Sequence, residues 1–145
     1  MSRAGERPAV RLVADANVLL SAVIGGQPKA VLEHPAVESV VTAASTFEEV
    51  QEYASHLAQK KRLDLKLVLL AVAALPVTIV PREQYKSALA RARRKIGKRD
   101  PDDVEILALA LHLGWPLWSN GNDFEAAGIE WYTTAELLRR LSPAE

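Results

Sequence analysis

The stretch KRDPDDVEILALALHLG, residues 98–114, sets three aspartates against a run of Leu, Ile and Ala that belongs in an interior. An Asp ahead of an apolar-periodic run reads first as a helix N-cap, with Pro favoured one position inside. Asp100 is therefore expected to cap, Pro101 to open the helix, and Asp102 to complement the helix dipole. On a wheel of about 100° per residue, Asp102, Glu105 and His112 mark the polar side. Ile106, Leu107, Ala110 and Leu111 fall opposite, and Asp103 falls among them. A carboxylate aimed at a core is costly unless something pairs with it. Capping accounts for Asp100 and Asp102 better than for Asp103, which leaves Asp103 open to holding a ligand.

Three further carboxylates stand at comparable places. Asp15 closes the apolar run VRLVAD, and ligands of open parallel sheets bind beyond the carboxyl ends of the strands. Asn17 can cap the helix that follows, so Asp15 is expected to face the crevice. In STFEE a capping box is available in either frame, Ser45 with Glu48 or Thr46 with Glu49. The wheel points Glu48 and Glu52 outward and Glu49 toward the Tyr53 side, so Glu49 is the glutamate left for chemistry. Asp123, in WSNGNDF, fits an Asx-turn as well as a site. Four converging carboxylates cannot all stay ionised without a cation, because their repulsion either raises a pKa or recruits a metal. Oxygen-only ligation selects Mg2+ or Mn2+, and His34, His56 and His112 lack zinc-like spacing and are expected as surface or packing residues. Such a site suits phosphodiester hydrolysis, in which the metal activates water and neutralises charge growing on the phosphate.

A phosphate-bearing partner needs a basic surface, and the total charge supplies none: 18 Lys and Arg balance 18 Asp and Glu. A local patch has to do it. Residues 86–99 hold Lys86, Arg91, Arg93, Arg94, Lys95, Lys98 and Arg99 with no acid, and they run directly into Asp100. A charge run is most often a solvated face, but a one-signed run beside an acidic site suits a guide for a nucleic-acid backbone. The absence of cysteine excludes disulfides and thiolate chemistry. With no signal peptide or spanning segment, a cytoplasmic protein is expected.

The elements that must position these residues follow from periodicity. The first nine residues, MSRAGERPA, are polar and aperiodic and are expected to be a flexible N-terminus to a single domain spanning 1–145. Strands are expected at VRLVAD, VESVVTA, VTIVP, PLWS and IEWY. Helices are expected at ANVLLSAVIGG, PKAVLEH and STFEEVQEYASHLAQKK, the last with Phe47, Val50, Ala54 and Leu57 inward. LDLKLVLLAVAAL reads as a buried helix closed by Pro76, too broken to span a membrane. REQYKSALARARRKIG reads as one basic helix stopped by Gly97, followed by the helix opening at Pro101 and by TAELLRRL. Strands alternating with helices, and too apolar to be wet on either side, predict a parallel sheet covered by helices on both faces.

LVADANVLLSA, TFEEV, DPDDVEILALAL and LWSNGNDF, in this order, resemble the PIN-domain ribonucleases, among them the VapC-type toxins of toxin–antitoxin pairs. The resemblance spans about Leu12 to Leu138. It implies a three-layer α/β/α fold with a five-stranded parallel sheet, Mg2+- or Mn2+-dependent cleavage of single-stranded RNA, homodimers and, for a toxin, a cognate antitoxin. Carried across by position, the first family aspartate is Asp15, the asparagine Asn17, the helix glutamate Glu49, the later aspartate Asp103, and the Ser/Thr after the fourth strand Ser119. Asn17 and Ser119 then position the loop or the phosphate. The motif departs at Gly121, which stands where the first of two family acids belongs and leaves only Asp123. Three acids can hold one metal with Asp123 assisting; a second metal loses a ligand. The expectation is a divalent-metal-dependent endoribonuclease that holds RNA on Arg91, Arg93, Arg94, Lys95, Lys98 and Arg99. Gly121 favours an alternative, a weakened or inactive PIN domain that binds RNA or protein. A phosphatase of the haloacid-dehalogenase type also places an aspartate after its first strand, but it needs a second two residues on, where Asn17 stands.

Overall fold

The strand β1 (Val10–Ala14) is the axis of the molecule: Leu12, Val13 and Ala14 are fully buried although their side chains alternate between faces. A strand buried on both faces needs a cover on each, which is why the sequence from Leu12 to Ala14 is continuously apolar. The computed structural model describes residues 9–96, 101–121 and 124–142. The first eight residues of the expected flexible N-terminus lie outside these. β1 pairs in parallel with β2 (Val37–Ala43) on one side and with β4 (Leu117–Trp118) on the other. β3 (Thr78–Val80) extends the sheet beyond β2, and β5 (Trp131–Tyr132) beyond β4. The order is β3-β2-β1-β4-β5, and every pairing is parallel.

Eight α-helices among the described residues cover the sheet: α1 (Ala16–Val23), α2 (Pro28–Leu32), α3 (Ala44–Lys60), α4 (Leu65–Ala73), α5 (Arg82–Tyr85), α6 (Leu89–Ile96), α7 (Pro101–Leu113) and α8 (Thr134–Leu141). Two apolar cores result. Val13, Val41, Leu117, Tyr85, Leu89 and Leu107 meet on one face, and Leu12, Ala14, Trp118, Leu19, Val50 and Leu137 on the other. The alternate residues of β1 thus divide between two layers of helices, and the expected three-layer α/β/α arrangement is the result.

Three local readings need correction. The expected capping box of α3 is absent, because α3 begins at Ala44 with Ala43 as an N-cap that makes no side-chain bond. Ala43 is still paired with Val80 in the sheet, and the preceding Thr42 is pinned by its Oγ1, which donates to the Ala14 carbonyl at 2.8 Å. The chain passes from strand to helix without a loop, and Ser45 and Thr46 fall inside the first turn. The expected basic helix is broken into α5, a 3-10 turn at Lys86–Ala88, and α6. The break is at Tyr85 (φ −118°, ψ 4°), whose buried ring sends its hydroxyl to Glu105 Oε1 at 2.7 Å. Finally, α4 is not a buried helix. Only Val68 and Val72 are fully covered, and Leu67 and Leu70 are 65% and 63% exposed. Among the described residues no helix is long and apolar enough to cross a membrane.

Candidate active site

A cavity of about 620 Å³ has Asp15, Asn17, Thr46, Glu49 and Asp103 among its lining residues. Three elements deliver the acids. Asp15 follows the last residue of β1, and its backbone N–H donates to the Trp118 carbonyl of β4 at 3.2 Å. Its Oδ1 accepts the N–H of Val18 at 3.1 Å, so Asp15 is itself the N-cap of α1. The expectation that Asn17 would cap is overturned: Asn17 lies exposed inside the first turn, on the same cavity. Capping does not remove Asp15 from the cavity, because a carboxylate has roughly four lone-pair directions and one bond leaves the group able to serve both.

Glu49 is in the second turn of α3, half-buried, whereas its neighbour Glu48 is exposed. Asp103 is in the first turn of α7, half-buried, and Ile106 one turn later lines the same cavity. Each of the three carboxylates also interacts with other groups of the chain. Asp123, Asp100, Lys98 and Arg99 lie outside the described residues, as does the side chain of Asp102.

The donors are right in kind for a hard divalent cation, being carboxylates from three elements on one cavity. Their arrangement is more open than a closed ion site. Among the described residues no group of three His, Asp or Glu side chains is disposed to hold a metal ion as it stands. One further group draws attention to the cavity. Thr46 is 3% exposed, and among the described residues its Oγ1 has no hydrogen-bond partner. A buried hydroxyl without a partner is costly, and this one belongs to a residue on the wall shared by the three acids.

Ser119 is buried and is not among the cavity-lining residues. Its Oγ accepts the N–H of Gly121 at 3.2 Å, and Oδ1 of the intervening Asn120 accepts the N–H of Thr134 at 2.8 Å. These bonds hold the start of the loop after β4 against α8. Behind the site, Glu105 accepts from Tyr85 and pairs with Arg82 at 3.3 Å, tying α5 to α7 two residues past Asp103. Burial, reinforced by the bond to Glu105, pushes the Tyr85 phenol far above its ordinary range. A capping box that the sequence reading passed over, Thr133 with Glu136, starts α8. The N–H of Thr133 holds the Glu136 carboxyl below its ordinary value.

The basic run does not reach the cavity within the described residues. Arg91, Arg93, Arg94 and Lys95 are exposed on α6, which is buried through Ala92 and Ile96, and none of the four lines the cavity. The cation on the wall is Lys60, accompanied by His56 and Tyr53. Glu49, Tyr53, His56 and Lys60 are spaced i, i+4, i+7, i+11, one stripe of α3. His56 is exposed, as expected of a surface residue, and Lys60 is the residue that the sequence expectations lack. Extending the helical spacing from Glu49 finds Lys60.

A sequence profile described as PIN domain matches residues 13–142. No curated protein matches the chain by sequence. Solved structures similar to this one include a toxin–antitoxin complex from Klebsiella pneumoniae, with 23% identity, a TM-score of 0.63, and coverage of 85% of this chain and 97% of that one. VapBC2 from Rickettsia felis bound to a promoter DNA fragment is 14% identical at a TM-score of 0.63, covering 86% and 98%. VapBC-1 from nontypeable Haemophilus influenzae is 17% identical at a TM-score of 0.63, covering 87% and 99%. At these identities the likeness is one of fold.

Proposed function

The chain belongs to the PIN-domain family, and from that premise we propose that it is a divalent-metal-dependent endoribonuclease acting on single-stranded RNA. The observation that carries the reading is the meeting of Asp15, Glu49 and Asp103, 88 positions apart at the extremes (103 − 15), on one cavity. These three would hold Mg2+ or Mn2+, with Asp123 assisting. A bound ion of this kind supplies an activated water and offsets charge growing on the scissile phosphate.

The chain's own residues do the rest. The bond from Val18 N–H orients the Asp15 carboxylate, and the β1–β4 pairing fixes its height at the carboxyl end of the sheet. Asn17, in the first turn of α1, is placed to position a phosphate in the cavity. Ser119 positions the loop after β4 through Gly121 N–H. Arg91, Arg93, Arg94 and Lys95, with Lys98 and Arg99, guide the RNA backbone from outside. The reading includes a single domain over 1–145 working in the cytoplasm.

The similar structure from Klebsiella pneumoniae is a toxin–antitoxin complex, and we extend that role to this chain as the toxin of such a pair. The exposed Leu67 and Leu70 of α4 offer a surface to a protein partner, whether an antitoxin or a second copy in a homodimer. Gly121, where the family carries an acid, favours a second reading: a weakened PIN domain that binds RNA or protein without cutting. Mn2+-dependent RNA cleavage by purified wild-type, Asp15→Asn and Asp103→Asn proteins tests the first reading. Loss of cleavage in both variants is expected, and unchanged cleavage in both defeats the assignment.

A further inference from the structure

We propose that the α3 side of the cavity is a strand track, with Tyr53 stacking on a base of single-stranded RNA and Lys60 neutralising a phosphate farther along. This deepens the nuclease reading and rests on it. With a rise of 1.5 Å per residue, an α-helix puts Tyr53 about 6 Å and Lys60 about 16 Å beyond Glu49 along its axis. The stripe therefore runs from an acidic end, where a cation would sit, to a cationic end, with an aromatic ring between.

The surroundings fit that use. Tyr53 is 52% exposed although it lines the cavity, so one ring surface is open. From the α1 side the cavity gains Leu20 and Ile24, and Ile24 is 41% exposed, an apolar boundary suited to the flat face of a base. Among the described residues, no hydrogen bond or ion pair engages the side chains of Tyr53, His56 or Lys60. The half-exposed Tyr53 ring and the exposed Lys60 ammonium are thus open to a ligand on a shared wall. Base stacking on an aromatic ring tolerates any base, because every base has a π-face, and the phosphate is met by charge alone. His56, between the two, offers a ring nitrogen to a ribose hydroxyl or a phosphate oxygen. The RNA partner of the site is accordingly an unpaired strand: a duplex keeps its bases stacked on one another and presents none to Tyr53. The exposed arginines of α6 do not line this cavity, so the track and α6 predict different variants to matter.

The test is fluorescence anisotropy with a labelled single-stranded RNA of mixed sequence, in EDTA so that no variant cuts the probe, over a series of salt concentrations. Tyr53→Ala is expected to weaken binding roughly 5- to 150-fold with the salt slope unchanged, and Tyr53→Phe to restore it. Lys60→Ala is expected to lower the slope of log K against log salt by about 0.7, the value for one phosphate contact on a single strand. If Tyr53→Ala and Lys60→Ala both bind as wild type while Arg93→Ala/Arg94→Ala loses affinity, the track is wrong and the nuclease reading stands with RNA on α6. If the wild-type chain binds no RNA in EDTA yet cuts it in Mn2+, the track is wrong and the nuclease reading stands; if it neither binds in EDTA nor cuts in Mn2+, both fail.

Discussion

Replacing Asp15 with asparagine separates the two tasks of its side chain. Asparagine keeps an oxygen that can accept the Val18 N–H, and it ranks with aspartate at helix N-caps, so α1 retains its start. Asp15→Ala loses the cap, at about 1 kcal/mol. What asparagine removes is one of three negative charges on the cavity. The size of the consequence follows from linkage. An ion present at 100 times its Kd stabilises the folded chain by about 2.7 kcal/mol. With an unfolding entropy of about 2.1 cal/mol/K per residue, the 145 residues give roughly 300 cal/mol/K. One kcal/mol then moves the melting midpoint by about 3 °C, and saturation with Mn2+ raises it by about 9 °C. Removing a group that merely supports a ligand weakens metal binding roughly 10- to 100-fold, and a direct ligand loses at least the upper figure. At the same Mn2+ concentration the shift for Asp15→Asn then shrinks to about 1 °C. Scanning fluorimetry with and without Mn2+, on wild type, Asp15→Asn and Asp15→Ala, reads all three. Equal Mn2+ shifts in wild type and Asp15→Asn would refute the reasoning and leave Asp15 without a part in metal binding.

Thr46→Val replaces a buried hydroxyl that has no partner among the described residues with a methyl of the same shape. It is expected to stabilise the metal-free chain by about 1 kcal/mol while reducing RNA cleavage; a lowered melting midpoint would show that the hydroxyl is bonded in solution. Gly121→Asp restores an acid to the loop after β4 and is expected to raise Mn2+-dependent cleavage at least tenfold, about 1.4 kcal/mol off the barrier, while an unchanged rate would favour the binding-only reading. The Glu136 carboxyl is held low by Thr133, so its contribution is present above the ordinary glutamate range and lost as pH falls through its folded value. Chemical denaturation from neutral to acid pH is expected to show a shallower loss of stability for Glu136→Gln than for wild type, and parallel curves would discount the capping box.

The sheet was legible because its central strand must be buried twice. LVA in β1 carries no polar residue, and VVTA at the end of β2 carries only Thr42, a pattern that a one-sided sheet does not produce. Glu49 was legible because a wheel separates a half-buried acid from its exposed neighbour Glu48, and Asp103 because the same wheel sets a half-buried acid among apolar residues. What escaped was set by contacts distant in sequence. N-cap preference treats Asp15 and Asn17 alike, and it is the exit of β1 toward Trp118 that makes Asp15 the cap. The box in STFEE is sound locally, but the pairing of Ala43 with Val80 starts the helix too early for it. The break at Tyr85 follows from a bond to Glu105, 20 residues on. An apolar helix such as α4 does not state in its own sequence which of its sides will find a neighbour, and here one side did. Lys60 escaped for a simpler reason: the inward side of α3 says nothing about which of its exposed residues share a cavity with Glu49.

Anomalous diffraction at the manganese edge, from crystals soaked in Mn2+, bears most directly on whether the three acids act together. A peak is predicted inside the cavity, with carboxylate oxygens of Asp15, Glu49 and Asp103 as ligands directly at roughly 2.1 Å or through bound water. A cavity without manganese at saturating Mn2+, or manganese bound only elsewhere on the chain, would contradict the account.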